Sequence, residues 1–242
     1  MTTALVVMFI AGLITGFSKF SIGGMGLIVL PIVMIAFPGP ESLGVLLPLY
    51  ILTDIMAVYS YRQHISWSVL ARFLPLSFLG VGVGTYLLAG INAEQFVTLL
   101  GVIIIGMIAL GLYLDMRPMN AFMRKPVTAY SMGFSSGLVS MVANASGPLF
   151  SLFLLEQKLT KDSYVSTRAW GFFLTNLVKL PMYLSLGLLT QESLTISAYA
   201  LPGLLIGSVI GYHFLKRVKP SHFKWLIRLV STVAAMKLML FS

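Results

Sequence analysis

Apolar residues run along this chain in eight long segments that are separated by short polar stretches. A helix that crosses a membrane needs about 20 apolar residues. Six segments fit that length, one of them with charges inside it, whereas the first and fifth are too long for a single crossing. The segments cover approximately residues 4–37, 42–61, 73–91, 95–114, 127–155, 164–187, 193–215 and 223–241.

Small and polar residues interrupt each of the two overlong segments. The first break is Ser18–Gly26, with glycines at 23, 24 and 26, and the second is Ser140–Pro148. Glycine has no Cβ and leaves helical geometry easily. A broken helix within hydrocarbon is tolerated only where it is packed in protein or lines a polar cavity. The two breaks are therefore predicted to form the centre of a transport site.

The second half of the chain repeats the pattern of the first. The glycine pair that begins at Gly12 recurs at Gly133, and Gly26 falls on Gly147. Two further matches are Tyr50–Asp54 with Phe172–Asn176, and Gly80–Tyr86 with Gly207–His213. The predicted division is a first membrane repeat at 1–116, a connecting cytoplasmic loop at 117–126 and a second membrane repeat at 127–242.

Loop charge indicates how the two halves are oriented. Arg62 follows segment two, but the equivalent loop after segment six has no Lys or Arg. Lys216 and Arg217 follow segment seven, but the equivalent loop after segment three has none. By the positive-inside rule the two halves lie in opposite orientations, which requires an odd number of crossings in each half.

The predicted fold is an all-α polytopic membrane protein made of two inverted four-segment repeats. Each repeat contains a broken, re-entrant helical hairpin and three transmembrane helices, a plan typical of secondary transporters. Eight full crossings are the alternative, because the stretch before Gly23 is nearly long enough to span alone.

Composition places nearly the whole chain in a bilayer, and the predicted location is the cell membrane. The chain is 58% hydrophobic and 10% charged, against about 25% charged residues in soluble domains. The net charge of +9 comes largely from short loops, which predicts contact with anionic lipid and excludes a nucleic-acid partner. Cysteine is absent and the three histidines are scattered, so no metal, cofactor or enzymatic activity is expected.

Four ionisable residues lie deep in the apolar segments: Lys19, Asp54, Arg168 and Lys179. Such groups are costly in lipid and mark functional sites by default. Snorkelling to the interface is the alternative for the three cations, and it is the favoured interpretation for Lys237 near the C-terminus. Because three of the four are cationic, the predicted substrate is a small anion.

Helix N-termini at the two breaks would add free N–H groups and the positive end of the helix dipole, which also bind anions. The predicted substrate-binding residues are Lys19, Ser21, Gly23, Gly24, Gly26, Asn144, Ala145, Ser146, Gly147, Arg168, Trp170, Asn176 and Lys179.

Asp54 is predicted to couple transport to protons. Its repeat partner is the neutral Asn176, and Lys179 lies one helical turn beyond Asn176. If a two-fold axis relates the halves, segments two and six approach each other and Asp54 can pair with Lys179. A carboxylate that alternates between a proton and a lysine can tie proton movement to anion movement.

The chain resembles the TauE/SafE family of membrane transporters in three features. These are the glycine-rich break that follows a glycine pair, the recurrence of that break before Gly147-Pro148, and the layout in two repeated units. The resemblance covers nearly the whole chain and implies transport, often export, of sulfite, organosulfonates or related organic acids. The family's second break is commonly glycine-rich, whereas this chain has Asn144-Ala145-Ser146-Gly147. The predicted function is a secondary transporter of a small anion, with a channel-like pore as the alternative and a homodimer left open.

Overall fold

A computed structural model describes residues 2–21, 23, 25–115 and 126–218, and these residues form helices with no strand. The helices are α1 (Thr2–Phe20), α2 (Gly26–Met34), α3 (Glu41–Ser60), α4 (Trp67–Ala89), α5 (Ala93–Asp115), α6 (Pro126–Ala143), α7 (Gly147–Leu155), α8 (Lys161–Ser185), α9 (Gln191–Ala198) and α10 (Leu201–Arg217). Segment eight with Lys237, and the predicted connecting loop apart from Pro126, lie outside the described residues.

Several of these helices are long and apolar enough to cross a bilayer. Among the described residues α1, α3 and α4 meet that condition singly, and α9 with α10 meets it as a bent pair. The all-α architecture predicted from the apolar segments is therefore confirmed, and the protein is a helical membrane protein.

Both overlong segments are interrupted at their stretches of small residues, as the sequence predicts. The first break separates α1 from α2 and the second separates α6 from α7. Gly23 has φ +80° and Asn144 has φ +51°, and the two residues occupy equivalent positions when the halves are aligned. Asparagine is among the few residues besides glycine that tolerate a positive φ. Asn144 thus gives the second break the backbone turn that Gly23 gives the first.

Segment seven is not the single helix that its length predicts. It forms α9 and α10, which meet at an angle of 51°. Pro202 lies in the first turn of α10, and a proline ring clashes with the carbonyl four residues earlier. That carbonyl belongs to Ala198, where α9 ends. The equivalent Pro75 lies inside the continuous helix α4, so proline alone does not decide the bend.

Two helix pairs, α1 with α10 and α4 with α6, pack at very short range through glycine. A Cβ atom at Gly12 would lie 2.1 Å from the carbonyl oxygen of Ala200, and one at Gly80 would lie 2.1 Å from that of Phe134. Each pair joins one helix from each half of the chain. When the two halves are aligned, α1 corresponds to α6 and α10 corresponds to α4, so the two pairs are equivalent.

Equivalent tyrosines hold the ends of the two broken helices. The hydroxyl of Tyr61 donates to the carbonyl oxygen of Phe20 at the end of α1, over 2.9 Å. The hydroxyl of Tyr183 donates to the carbonyl oxygen of Met141 near the end of α6, over 2.7 Å. Each bond satisfies a carbonyl that a helix C-terminus leaves without an intrahelical partner. The two breaks are thus supported from α3 and α8, which lie between them.

Candidate anion site at the two helix breaks

A cavity of about 50 Å³ lies where the two breaks meet. It includes seven of the thirteen predicted binding residues. Its lining consists of Thr15, Ser18, Lys19, Gly23, Val29, Tyr50, Ser140, Asn144, Ser146, Gly147, Arg168, Phe172 and Asn176. The prediction that both breaks contribute to one site is supported by this placement.

Lys19 and Asp54 form an ion pair beside the cavity, through Nζ and Oδ1. The other carboxylate oxygen, Oδ2, accepts a hydrogen bond from Nδ2 of Asn176 over 2.6 Å. The predicted approach of segments two and six is thus confirmed, but the predicted pairing of Asp54 with Lys179 is wrong. The reason is that the end of α1 brings Lys19 directly to α3 in the same half of the chain.

The ammonium group of Lys19 also lies against two aromatic rings. Its Nζ is 4.5 Å from the ring centroid of Phe172 and 5.5 Å from that of Tyr50. The two rings occupy equivalent positions in the aligned halves. Ring faces attract a cation electrostatically, so the carboxylate and the two rings all favour the protonated form of this lysine.

Lys179 is fully buried and belongs to the second break. Its Nζ donates to Oδ1 of Asn144, to Oδ1 of Asn176 over 3.1 Å, and more weakly to Oγ of Ser140 over 3.4 Å. Asn176 therefore connects Lys179 with Asp54. The side chains of Lys19, Asp54, Asn176, Lys179 and Asn144 form one continuous line across the two halves, which we call the cross-repeat network.

Arg168 is 2% exposed and does not snorkel to the interface. Its Nη2 donates to the carbonyl oxygens of Lys19 and Ser21, over 3.0 and 2.8 Å. A cation suits this place because the C-terminus of a helix presents unpaired carbonyls and the negative end of its dipole. Its Nη1 is buried without a hydrogen-bond partner. That nitrogen lies close to Gly23, where a Cβ would approach it to 2.2 Å.

The site carries more positive than negative charge. Within the described part of the chain, the buried basic residues Lys19, Arg168 and Lys179 lie in or beside the site, and the one buried acidic residue is Asp54. Two N–H donors there have no hydrogen-bond partner: Nη1 of Arg168 and Nδ2 of Asn144. Buried polar groups are normally paired, and an unpaired donor costs about 1–3 kcal/mol. The cavity can therefore accept a ligand that is negatively charged and rich in hydrogen-bond acceptors.

The start of α7 adds backbone donors to the same cavity. Ser146, its N-cap residue, and Gly147, its first residue, both line the cavity. The first N–H groups of a helix have no intrahelical acceptor, and they favour anions. The nitrogen of Met25, at the start of α2, is instead engaged by the hydroxyl of Ser18 over 3.3 Å.

The remaining predicted residues occupy other places. Ser21 is buried and its hydroxyl donates to the carbonyl of Phe17, and Ala145 is buried without lining the cavity. Trp170 packs its ring against Trp67, with centroids 5.2 Å apart, and is not among the lining residues. Gly26 begins α2, and Gly24 lies outside the described residues.

Thr15, Val29 and Phe172 line the cavity although the sequence did not single them out. Thr15 precedes Lys19 by one helical turn, so helical periodicity contained a signal for it. Phe172 is the repeat partner of Tyr50, so the alignment of the halves contained one for it. In the part of the chain that the structure describes, no group of three or more His, Cys, Asp or Glu residues could hold a metal ion.

A helical membrane protein with a charged cavity at two helix breaks has the architecture of a membrane transport protein. The family model described as sulfite exporter TauE/SafE matches residues 8–238, nearly the whole chain. The chain belongs to this family, which implies membrane transport of the sulfite or sulfonate type. No curated protein and no solved structure matches it.

Proposed function

We propose that the protein is a secondary transporter that exports a small anion, such as sulfite, an organosulfonate or a related organic acid, and that the anion binds in the cavity between the breaks. The observation that carries this proposal is the excess of buried positive charge beside two N–H donors that lack partners. An anionic oxygen that accepts from Nη1 of Arg168 and Nδ2 of Asn144 would satisfy both donors and balance the charge.

The size of the cavity supports a compact anionic group. A single water needs about 10–15 Å³ of such space, so about 50 Å³ suits a group of about four non-hydrogen atoms. A sulfite ion, or the head of a sulfonate or carboxylate, is a group of that size. A longer organic substituent would require the cavity to extend when it opens to either side of the membrane.

The Lys19–Asp54 pair supports coupling to protons. When the ammonium group of Lys19 turns to a bound anion, the carboxylate of Asp54 loses its counter-ion. A buried carboxylate without a counter-ion takes up a proton. The anion and the proton would then bind together and move in the same direction.

Contacts between helix ends support two re-entrant hairpins of opposite orientation. α1 and α3 end beside each other at Phe20 and Tyr61, so α2 must return the chain to the other end before α3 begins. α6 and α8 likewise approach each other near their ends, at Met141 and Tyr183. α3 and α8 are antiparallel, because Gly44 near the start of α3 faces the residues just after α8.

Cysteine labelling tests this topology, and the cysteine-free chain makes it clean. We expect Pro38→Cys to label only from outside the cell and Lys158→Cys only after the membrane is permeabilised. Pro38 lies before α3, at the end where loops lack Lys and Arg, and Lys158 lies in the basic connection before α8. Labelling of both from the same face would rule out the inverted arrangement.

Sulfite binding by the purified protein tests the anion site. A charge-assisted hydrogen bond contributes about 1.5–3 kcal/mol, so Arg168→Gln should raise the Kd for sulfite about ten- to a hundredfold. The measurement is the rise of the melting temperature with sulfite concentration, since a ligand that binds the native state stabilises it. Methanesulfonate and acetate in the same assay compare sulfonate and carboxylate heads.

Two further variants are the controls for that measurement. Arg72→Gln removes the same charge from an exposed position on α4 and should leave the Kd unchanged. Arg168→Lys keeps the charge but loses the forked guanidinium, and should fall between the native protein and Arg168→Gln. A folded Arg168→Gln protein with native affinity would remove Arg168 from the site.

A further inference from the structure

A second, larger pocket lies at the end of the molecule where α3 ends and α8 begins. Its volume is about 670 Å³. Residues from the ends of α1 and α3, from the start of α8 and from α10 line it, among them Phe20, Tyr61, Gln63, Ser208 and Tyr212. The hydroxyl of Ser208 is buried and has no hydrogen-bond partner. We call this space the basic-end pocket.

An aromatic layer lines the basic-end pocket near the anion cavity. Phe20, Tyr61 and Tyr212 form a row, with ring centroids 5.9 and 6.1 Å apart. Phe20 lines the pocket, and the preceding residue, Lys19, lines the cavity. Consecutive residues of α1 thus line the two spaces.

Hydroxyl groups without partners lie on both sides of that separation. Thr15 lines the cavity and Ser208 lines the basic-end pocket, and each has a buried hydroxyl oxygen with no partner. Gly16 lies between them, since a Cβ there would be 2.9 Å from Oγ of Ser208.

The two ends of the molecule differ in charge. At the end with the basic-end pocket, the described loops and helix termini carry five cations and three carboxylates: Arg62, Lys158, Lys161, Lys216 and Arg217 against Asp115, Glu156 and Asp162. At the opposite end the described loops and helix starts carry Glu41, Glu94 and Glu192 and no Lys or Arg. A pocket of about 360 Å³ at that end is lined by Glu41 and Glu192.

We propose that the basic-end pocket is the loading vestibule for the anion and that Phe20, Tyr61 and Tyr212 form its inner gate. This inference rests on the proposed transport of an anion through the central cavity. Arg62 and Asp162 both line this pocket, so the attraction comes from the excess of cations at this end of the molecule as a whole, which concentrates an anion there and raises its association rate. The carboxylates at the other end repel an anion and favour its departure. Binding from the two sides is therefore unequal.

The charge difference can be measured without knowing the substrate. Gln63→Cys places a thiol in the basic-end pocket, and Pro38→Cys places one in the pocket that Glu41 and Glu192 line at the opposite end. Purified protein, open to solvent at both ends, is treated with two methanethiosulfonate reagents, one bearing a sulfonate and one a quaternary ammonium. The ratio of the two rates is normalised to that of a small free thiol.

We expect the sulfonate reagent to be favoured about tenfold at Gln63→Cys and disfavoured at Pro38→Cys. Both ratios should approach that of the free thiol at about 1 M salt, where charges are screened within about 3 Å. Equal ratios at the two positions, in a protein that transports sulfite, would overturn the vestibule and leave the transport function intact. Unequal ratios in a protein that binds no anion would overturn both proposals.

The gate is tested by the reactivity of a thiol in the cavity. In a Thr15→Cys protein, the additional change Tyr61→Ala should raise the rate of labelling by the sulfonate reagent about tenfold, because it removes the central ring of the aromatic layer. Tyr59→Ala is the control, since Tyr59 lines the basic-end pocket but does not belong to the row. An unchanged rate in the Tyr61→Ala protein, or an equal rise in the control, would overturn the gate.

Discussion

Asp54→Asn is expected to abolish the accumulation of anion that a pH gradient drives, while flux down an anion gradient continues. Asparagine can still accept the hydrogen bond from Asn176, so the contact between α3 and α8 is kept. It cannot take up or release a proton, and it no longer attracts Lys19. The lysine is then free to bind the anion whatever the pH, which removes the competition on which coupling depends.

The measurement is flux in proteoliposomes with methanesulfonate, which stays ionised across the pH range used. The control is Glu94→Gln, which removes a carboxylate from the exposed start of α5, outside the pocket that Glu41 and Glu192 line, and should accumulate the anion as the native protein does. Gradient-driven accumulation in the Asp54→Asn protein would end the coupling role. Loss of sulfite binding in that variant would assign Asp54 a structural role instead.

The stability of the same variant provides an independent check on the ion pair. Removing one partner of a buried pair leaves an uncompensated charge and costs about 3–5 kcal/mol. Lys19 lines a cavity and its side chain is 16% exposed, so a cost near the lower limit is expected. The double variant with Lys19→Met removes both charges and should regain most of the lost melting temperature.

Gly80→Ala is expected to disrupt the contact between α4 and α6, whereas Gly82→Ala on the same helix is expected to be harmless. The new methyl group at position 80 would lie 2.1 Å from the carbonyl oxygen of Phe134. The helices would have to separate, and overpacking of a tight interface costs about 1–3 kcal/mol. At position 82 no atom lies within 4 Å, so only the higher helix propensity of alanine acts there, by about 1 kcal/mol.

The Gly80→Ala and Gly82→Ala proteins are compared by heating each purified protein and following the fraction that remains monodisperse. A lower melting temperature for Gly80→Ala alone would match the geometry, because the two variants differ only in the face of α4 that they modify. Equal melting temperatures would contradict the close approach of α4 and α6.

Helical periodicity and segment length predicted most of the fold, because these signals are local. The breaks beside Gly23 and Asn144 were predicted from small residues inside long apolar segments. The bend before Pro202 was not, because the equivalent Pro75 lies in a continuous helix. Whether a proline bends a helix depends on neighbours that sequence alone does not place.

The members of the site could be predicted more readily than their partners. Lys19, Asp54, Arg168 and Lys179 were singled out because each is an ionisable residue in an apolar segment, and all lie near the cavity. The pairing of Asp54 with Lys19 instead of Lys179 depends on where α1 stops, to within one helical turn. That position is determined by tertiary contacts, such as the bond from Tyr61 to Phe20.

The cross-repeat network has a direction that a row of charges alone would lack. Asn176 gives its N–H to Asp54 and offers its oxygen to Lys179. If Asp54 gains a proton and becomes a donor toward Asn176, the amide must reverse to accept from it. The reversed amide then points N–H groups at the ammonium of Lys179, which has no lone pair to receive them. A proton on Oδ2 of Asp54 is thus incompatible with the bond between Lys179 and Asn176, and for that proton the amide of Asn176 acts as a two-position switch between the halves.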